Sequence, residues 1–172
     1  MTDLGARVFE FSTDELPEQD RIAFWREHYG HVMLRVDIAP APGQLFIAHN
    51  RTLALPGLQL MEGSSTPARI SRGGQYLDDG NDDIVFAINR TGSATVESAG
   101  RAQNLQDHEA VVLSCSEAAT FDRTSAGKSF TLPPTDNSSD YSGYASRRIP
   151  PGVRARGRFR GVLGGQNLIR AN

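Results

Sequence analysis

The chain has 172 residues, of which 38% are hydrophobic, which fits one domain with additional unpacked segments. The single cysteine, Cys115, excludes an internal disulfide and any metal site made of several cysteines. The sequence shows no secretory leader pattern and no run of about 18 apolar residues that would span a membrane. We therefore expect a cytoplasmic protein without a membrane partner.

The charged residues are distributed unevenly along the chain. Residues 1–140 hold all 20 acidic residues and 11 of the 18 basic ones, which gives this part a net charge of −9. Residues 141–172 hold seven arginines and no acidic residue. This difference predicts two regions with different properties, an acidic folded region and a basic tail.

Residues 12–30 carry the clearest helix pattern. Ile22, Trp25 and Tyr29 recur at spacings of three and four, which places them on one helical face. Pro17 suits the first turn because its fixed φ matches the helical value. The pattern predicts an amphipathic helix whose apolar face packs on the rest of the domain.

Residues 31–123 consist of short stretches with strand-like patterns, and turn-forming residues separate them. About eight short strands at spacings of ~8–12 residues are typical of an antiparallel sandwich or barrel. The predicted strands lie at residues 32–38, 45–55, 58–61, 68–72, 83–88, 93–97, 101–105 and 110–115.

The regular pattern ends near Arg123. Residues 125–172 show neither strand nor helix periodicity, and arginine occupies every second position from Arg154 to Arg160. Such a segment cannot bury enough apolar surface to offset the cost of ordering it, so we predict a disordered tail over residues 124–172. Arginine outnumbers lysine 17 to 1, which indicates a GC-rich gene in which a shifted reading frame would yield such a tail.

The opening segment, residues 9–27, reads FEFSTDELPEQDRIAFWRE and resembles the start of the AraC-binding-like domain family. The turn at residues 55–58, the strand start at residues 82–84 and the turn at residues 100–101 are also similar to that family. The resemblance covers residues 9–123. It implies a cupin-like β-barrel that senses a ligand and dimerises, and that is joined in the family to C-terminal helix-turn-helix units that bind promoter DNA.

These features predict a mainly β fold: a cupin-like antiparallel β-barrel at residues 9–123, preceded by one amphipathic α-helix and followed by the disordered tail. No helix-turn-helix pattern follows the predicted barrel, so we expect a truncated regulator, a ligand-sensing and dimerisation module without a DNA-binding domain. The expected partners are a small-molecule effector and either a second copy or a full-length relative. We expect no sequence-specific DNA binding by this chain alone. A stand-alone small-molecule-binding barrel and, with less support, a cupin enzyme remain alternatives.

Residues that could form a metal or catalytic site are present without the required spacing. The histidines are His28, His31, His49 and His108, and no two of them form the His-x-His pair on a strand that cupin metal sites use. Cys115 ends an apolar strand pattern, which favours a packing role over a nucleophilic one. We therefore predict no metal, no cofactor and no catalytic residue, and a protein that is not an enzyme.

Two polar residues lie on otherwise apolar faces of predicted strands. Arg72 shares a face with Ala68 and Ile70, and His49 shares a face with Ile47 and Leu53. Small barrels can enclose a ligand among inward side chains, so Arg72 and His49 are the predicted ligand-binding residues. A position at an edge or rim of the barrel is the alternative for both.

Overall fold

The three-dimensional structure is a computed structural model that describes residues 7–55 and 58–132, together with the backbone of residues 153–156. A helix, α1 (Glu18–Trp25), continues directly as a π-helix (Arg26–Leu34), and a 3₁₀ turn covers Gly74–Tyr76. The strands are β1 (Arg7–Ser12), β2 (Asp37–Pro40), β3 (Ala48–Leu55), β4 (Leu58–Ser65), β5 (Ala68–Arg72), β6 (Ile84–Thr91), β7 (Ala94–Ser98), β8 (Arg101–Leu105), β9 (Ala110–Ser114), β10 (Ala119–Arg123), β11 (Gly127–Leu132) and β12 (Val153–Arg156).

The strands form two antiparallel sheets. Within the described ranges, a seven-stranded sheet has the order β12-β1-β3-β4-β11-β6-β9 and a five-stranded sheet has the order β2-β5-β10-β7-β8. The predicted fold class, mainly β with antiparallel strands and one α-helix, is confirmed. The two sheets remain separate layers and do not close into the predicted barrel.

The N-terminal region differs from the prediction. Strand β1, which was not predicted, comes before α1 and pairs with β3, while α1 precedes the predicted strands as expected. Val32 and Leu34, predicted to begin a strand, lie in the π-helix, and β2 begins only at Asp37. The helical segment extends this far because Tyr29 and Met33 continue its buried face at a spacing of four.

A glycine and a left-handed residue shape the end of the π-helix. A Cβ atom at Gly30 would lie 2.8 Å from the carbonyl oxygen of Val36, so only glycine lets the following segment approach this closely. The Val36 N–H donates to the Gly30 carbonyl at 3.0 Å. Arg35, with φ 53°, turns the chain out of the helix and into β2.

The region after Arg123 contains a strand that the sequence analysis missed. Strand β11 pairs with β4 on one side and β6 on the other, so the expected absence of strands after Arg123 is wrong for these residues. Its inward positions are occupied by Ser129 and Thr131 instead of apolar residues, which removed the alternation that marks a strand. Residues 153–156 pair with β1. The rest of the predicted tail lies outside the described residues, and the division into domain and tail stays a prediction.

The helical segment packs on the sheets through aromatic rings. Trp25, the only tryptophan in the chain, is 3% exposed. Its ring stacks on Tyr29 at 4.5 Å and contacts Phe11 at 5.0 Å and Phe46 at 6.1 Å between ring centroids. The predicted docking of this helical face is therefore confirmed. The helices within the described ranges are too short or too polar to cross a membrane.

Candidate functional site

His49 lies on the outer face of the seven-stranded sheet. Its Nε2 atom is 2.9 Å from Oδ2 of Asp14, and both side chains are about half exposed. His49 lines an open groove of ≈ 430 Å³. The groove also holds the ion pair between Arg51 and Glu10 at 3.1 Å, together with Lys128. A ligand role for His49 in this groove stays a prediction.

Arg72 is 7% exposed and lies on the inner face of the five-stranded sheet. Its Nε donates to the Cys115 carbonyl at 2.7 Å, and its Nη1 donates to the Arg35 carbonyl at 3.0 Å. Its Nη2 donates to both carboxylate oxygens of Asp79, at 2.9 and 3.1 Å. Every guanidinium nitrogen is thus occupied by the protein, which gives Arg72 a role in holding β5, the end of the π-helix and the loop before β6 together.

The carboxylate of Asp79 is adapted to this pairing. Burial alone would raise its pKa, but hydrogen bonds from the Asn81 N–H and the Arg72 guanidinium outweigh it and lower the pKa of Asp79 below its ordinary value. The structure does not bring Arg72 and His49 together: they belong to different sheets and line different cavities.

A row of three polar residues and one glycine, called the polar row below, crosses the inner face of the seven-stranded sheet. The strand register places Asn50, Gly63, Ser129 and Asn89 side by side on β3, β4, β11 and β6. Asn50 and Asn89 are buried. Inner sheet faces are normally apolar, so a buried polar row indicates either a structural network or a binding surface.

Some buried polar atoms beside this row lack partners. The Asn50 Nδ2 donates to Thr52 Oγ1 at 2.8 Å, while Asn50 Oδ1 has no hydrogen-bond partner among the described residues. The Nε2 of Gln59, on the same inner face, is also unpartnered there. Leaving such a group buried and unpaired costs about 1–3 kcal/mol, so these atoms are positions where a bound molecule or water would be stabilised. Asn89 is different, because its Nδ2 donates to the Gly92 and Gln106 carbonyls.

Arg123 faces the polar row from the five-stranded sheet. Its neighbours across the strands are the small residues Ala68 and Ala94, and the side chain is 4% exposed. Its Nη1 donates to the Thr91 carbonyl at 3.3 Å and to Asn89 Oδ1 at 3.5 Å. Within the described ranges no carboxylate lies within ion-pair distance of it. Burial lowers the pKa of this guanidinium, which nevertheless stays charged at neutral pH.

Tyr29 covers the same region from the π-helix. Its hydroxyl oxygen would lie 3.3 Å from a Cβ atom at Gly63, so the glycine leaves room for it against the polar row. Burial raises the pKa of Tyr29 to about 12, against the opposing effect of the nearby Arg123, so the hydroxyl is a hydrogen-bond donor at neutral pH. Tyr29, Arg123, Ser129 and the ring of Trp25 line a cavity with ≈ 20 Å³ of free space, enough for about one water molecule.

This site was not predicted from the sequence. A single polar residue on an apolar strand face is a recognisable signal, whereas the inner faces of β3 and β11 carry more than one polar residue each. The pair Asn50 and Thr52, and the pair Ser129 and Thr131, were nevertheless visible as small polar residues at a spacing of two. Arg123 gives no such signal, because it lies where the regular strand pattern of the sequence ends.

The described residues contain no group of three His, Cys, Asp or Glu side chains placed to hold a metal ion. Cys115 is buried, and burial raises the pKa of its thiol, which disfavours the reactive thiolate.

The polar row and Arg123 offer hydrogen-bond donors and acceptors and one positive charge. This arrangement is suited to binding a small polar molecule.

No protein-family model matches the chain, and no curated protein matches it. Among solved structures, the chain is similar to the AraC-like transcriptional activator CuxR, with a TM-score of 0.61 and 21% identity over 80% of this chain. The two chains share a fold. The match covers 51% of the activator, so this chain spans about half of its length. An RmlC-like cupin from Shewanella frigidimarina is more distant, with a TM-score of 0.44 and 11% identity over 62% of this chain and 89% of that one. The predicted likeness to an AraC-type sensing domain is confirmed at the level of the fold.

Proposed function

We propose that this chain is a regulatory domain that binds a small molecule between its two sheets, as the sensing part of an AraC-type regulator. The observation that carries the proposal is the buried polar row on the inner face of the seven-stranded sheet, with Arg123 and Tyr29 opposite it. The fold shared with an AraC-like activator supports a regulatory use of that site. We also propose that the domain binds its ligand without catalysing a reaction.

We propose a protein partner for the domain and no sequence-specific contact with DNA. The domain pairs with a second copy or with a full-length relative, and the chain alone does not recognise a DNA sequence. Its charge supports the second point, because residues 1–140 carry a net charge of −9 and would be repelled by DNA phosphates. A stand-alone small-molecule-binding domain remains the alternative function.

Ligand entry requires a movement, since the free space beside Arg123 is only ≈ 20 Å³. The π-helix is the element suited to move, because Tyr29 and Met33 on this segment cover the interior. Non-standard helical turns of this kind are frequent at functional sites. A ligand that binds only the open form would shift the population toward it, which links binding to a conformational change.

Trp25 provides a direct test, since it is the only tryptophan and its ring lines the interior cavity. A library of small metabolites is screened for compounds that change its fluorescence and raise the melting temperature. We expect saturable binding by a subset of compounds. A library in which no compound has either effect contradicts the proposal.

Two neighbouring residues on β3 locate the binding site. Asn50 points inward and His49 points outward, so the variants Asn50→Leu and His49→Ala form a matched pair. We expect Asn50→Leu to weaken binding about tenfold or more through the lost hydrogen bonds, and His49→Ala to leave it unchanged. The reverse result would place the ligand in the outer groove beside Asp14.

A further inference from the structure

We propose that the interior site binds a small organic carboxylate, and that the Arg123 guanidinium is the group that holds the carboxylate oxygens. This inference rests on the proposed function and names the chemical class of its ligand. It rests on two observations about Arg123. Most of its N–H groups have no acceptor among the described residues, and no carboxylate in the described ranges lies within ion-pair distance of it.

The hydrogen-bond capacity of Arg123 is mostly unused. Only Nη1 finds acceptors among the described residues, and both are neutral: the Thr91 carbonyl and Asn89 Oδ1. The guanidinium also lies over the ring of Phe121, 5.5 Å from its centroid. The planar fork of arginine matches the two oxygens of a carboxylate, so the remaining N–H groups form a ready-made site for one.

The charge of Arg123 is also uncompensated. Removing a charge from water is strongly unfavourable unless a counter-ion or several hydrogen bonds replace the water. The nearby polar groups, Ser129 and Tyr29, are hydroxyls and supply no negative charge. An anionic ligand restores the missing counter-charge, whereas a neutral ligand of the same shape does not.

The surroundings limit the size and the chemistry of the anion. The cavity wall beside Arg123 combines the rings of Trp25, Tyr29 and Phe46 with Ser129. The Tyr29 hydroxyl can donate a second hydrogen bond to the carboxylate. The aromatic residues can contact an apolar group attached to that carboxylate. Because the free space is small, the shortest carboxylates need the least opening of the π-helix.

The test compares carboxylates with their neutral amides. Formate, acetate, propionate and butyrate are titrated as sodium salts against sodium chloride at equal ionic strength, with acetamide, propionamide and butyramide as the uncharged counterparts. Trp25 fluorescence and the melting temperature report binding. We expect saturable changes with the carboxylates, and affinities for the amides weaker by about tenfold or more.

Three variants separate a ligand-binding arginine from a structural one. Arg123→Met should abolish the response to carboxylates while the unliganded protein stays folded and melts only slightly lower than the wild type, because it loses two long hydrogen bonds and no ion pair. Arg123→Lys keeps the charge without the fork and should recover part of the response. Arg69→Met is the matched control, since Arg69 lies on the strand paired with β10 and forms an exposed ion pair with Asp122 at 2.7 Å.

The outcomes distinguish the two proposals. Equal binding of carboxylates and amides, or undiminished carboxylate binding by Arg123→Met, overturns the anion site and leaves small-molecule binding intact. A large drop in the melting temperature of unliganded Arg123→Met shows a structural arginine and also overturns it. If no carboxylate binds to the wild type, the anion site is wrong, and the metabolite screen decides the proposed function separately.

Discussion

Two arginines, Arg72 and Arg123, lie on the inner face of the five-stranded sheet at opposite ends of the paired strands β5 and β10. Both are almost fully buried, at 7% and 4% exposure. Arg72 bonds to the carboxylate of Asp79 and to two backbone carbonyls, whereas Arg123 has two long contacts to neutral oxygens. The same residue type at the same depth therefore has two different environments.

The role of a buried charge depends on the groups that surround it. A buried arginine whose nitrogens are all occupied ties elements together, and its removal leaves other groups unpaired. A buried arginine without a carboxylate destabilises the empty domain and becomes favourable only when an anion is present. The first case describes Arg72 and the second describes Arg123.

The largest effect is expected from Arg72→Met. The substitution leaves Asp79 and the carbonyls of Cys115 and Arg35 without their donor, which should cost about 3–5 kcal/mol of unfolding free energy. Arg123→Met removes no ion pair and loses only two long hydrogen bonds to neutral oxygens, so it should cost no more than about 1–2 kcal/mol. Urea denaturation of both variants measures the contrast. Equal losses would show that the two arginines have the same role.

A smaller effect is expected from Gly127→Ala, at the Arg123 end. A Cβ atom at Gly127 would collide with the Thr91 carbonyl and with Nη1 of Arg123. One of them must move, which should cost about 1–3 kcal/mol as in other overpacked sites. Because the shift displaces Arg123, carboxylate affinity should fall as well. Gly73→Ala, where a Cβ atom has open space, is the control and should change neither quantity.

The sequence predicted several strands well. The predicted strand at residues 101–105 has the same bounds as β8, and β6, β7 and β9 differ from their predicted bounds by a few residues. Glycines with positive φ at Gly92 and Gly100 separate these strands, which is the turn chemistry that a sequence displays directly. The π-helix and β11 were missed because their burial depends on partners from distant parts of the chain.

The site was harder to predict for the same reason. Arg72 was correctly placed on the face of Ala68 and Ile70, but its acceptors lie 7, 37 and 43 residues away along the chain. Whether a buried arginine is paired is decided by such distant contacts, so the pattern of one strand does not distinguish Arg72 from Arg123. The register of four strands was needed to show that their small polar residues form one row.

The smallest effect is expected from Asp79→Asn, at the Arg72 end. The amide keeps one acceptor oxygen for Arg72 but loses the negative charge, which should cost about 1–2 kcal/mol at pH 7. Asp122→Asn is the matched control. Its ion pair with Arg69 is exposed and screened by solvent, so the substitution should lower the stability less than Asp79→Asn does.

The pH dependence of the Asp79→Asn effect tests its electrostatic origin. Hydrogen bonds lower the pKa of Asp79 in the folded state below the unfolded value of about 3.9. The stabilisation it contributes is therefore complete above the unfolded pKa and is lost as the pH falls through the folded pKa. The stability difference between wild type and Asp79→Asn should be constant from about pH 8 to pH 5 and should shrink below about pH 4, as the pH falls toward the lowered folded-state pKa. Urea denaturation at a series of pH values from 7 downward measures it. A difference that does not shrink at any acidic pH would show that the charge of the carboxylate is not its cause, since asparagine has the same shape.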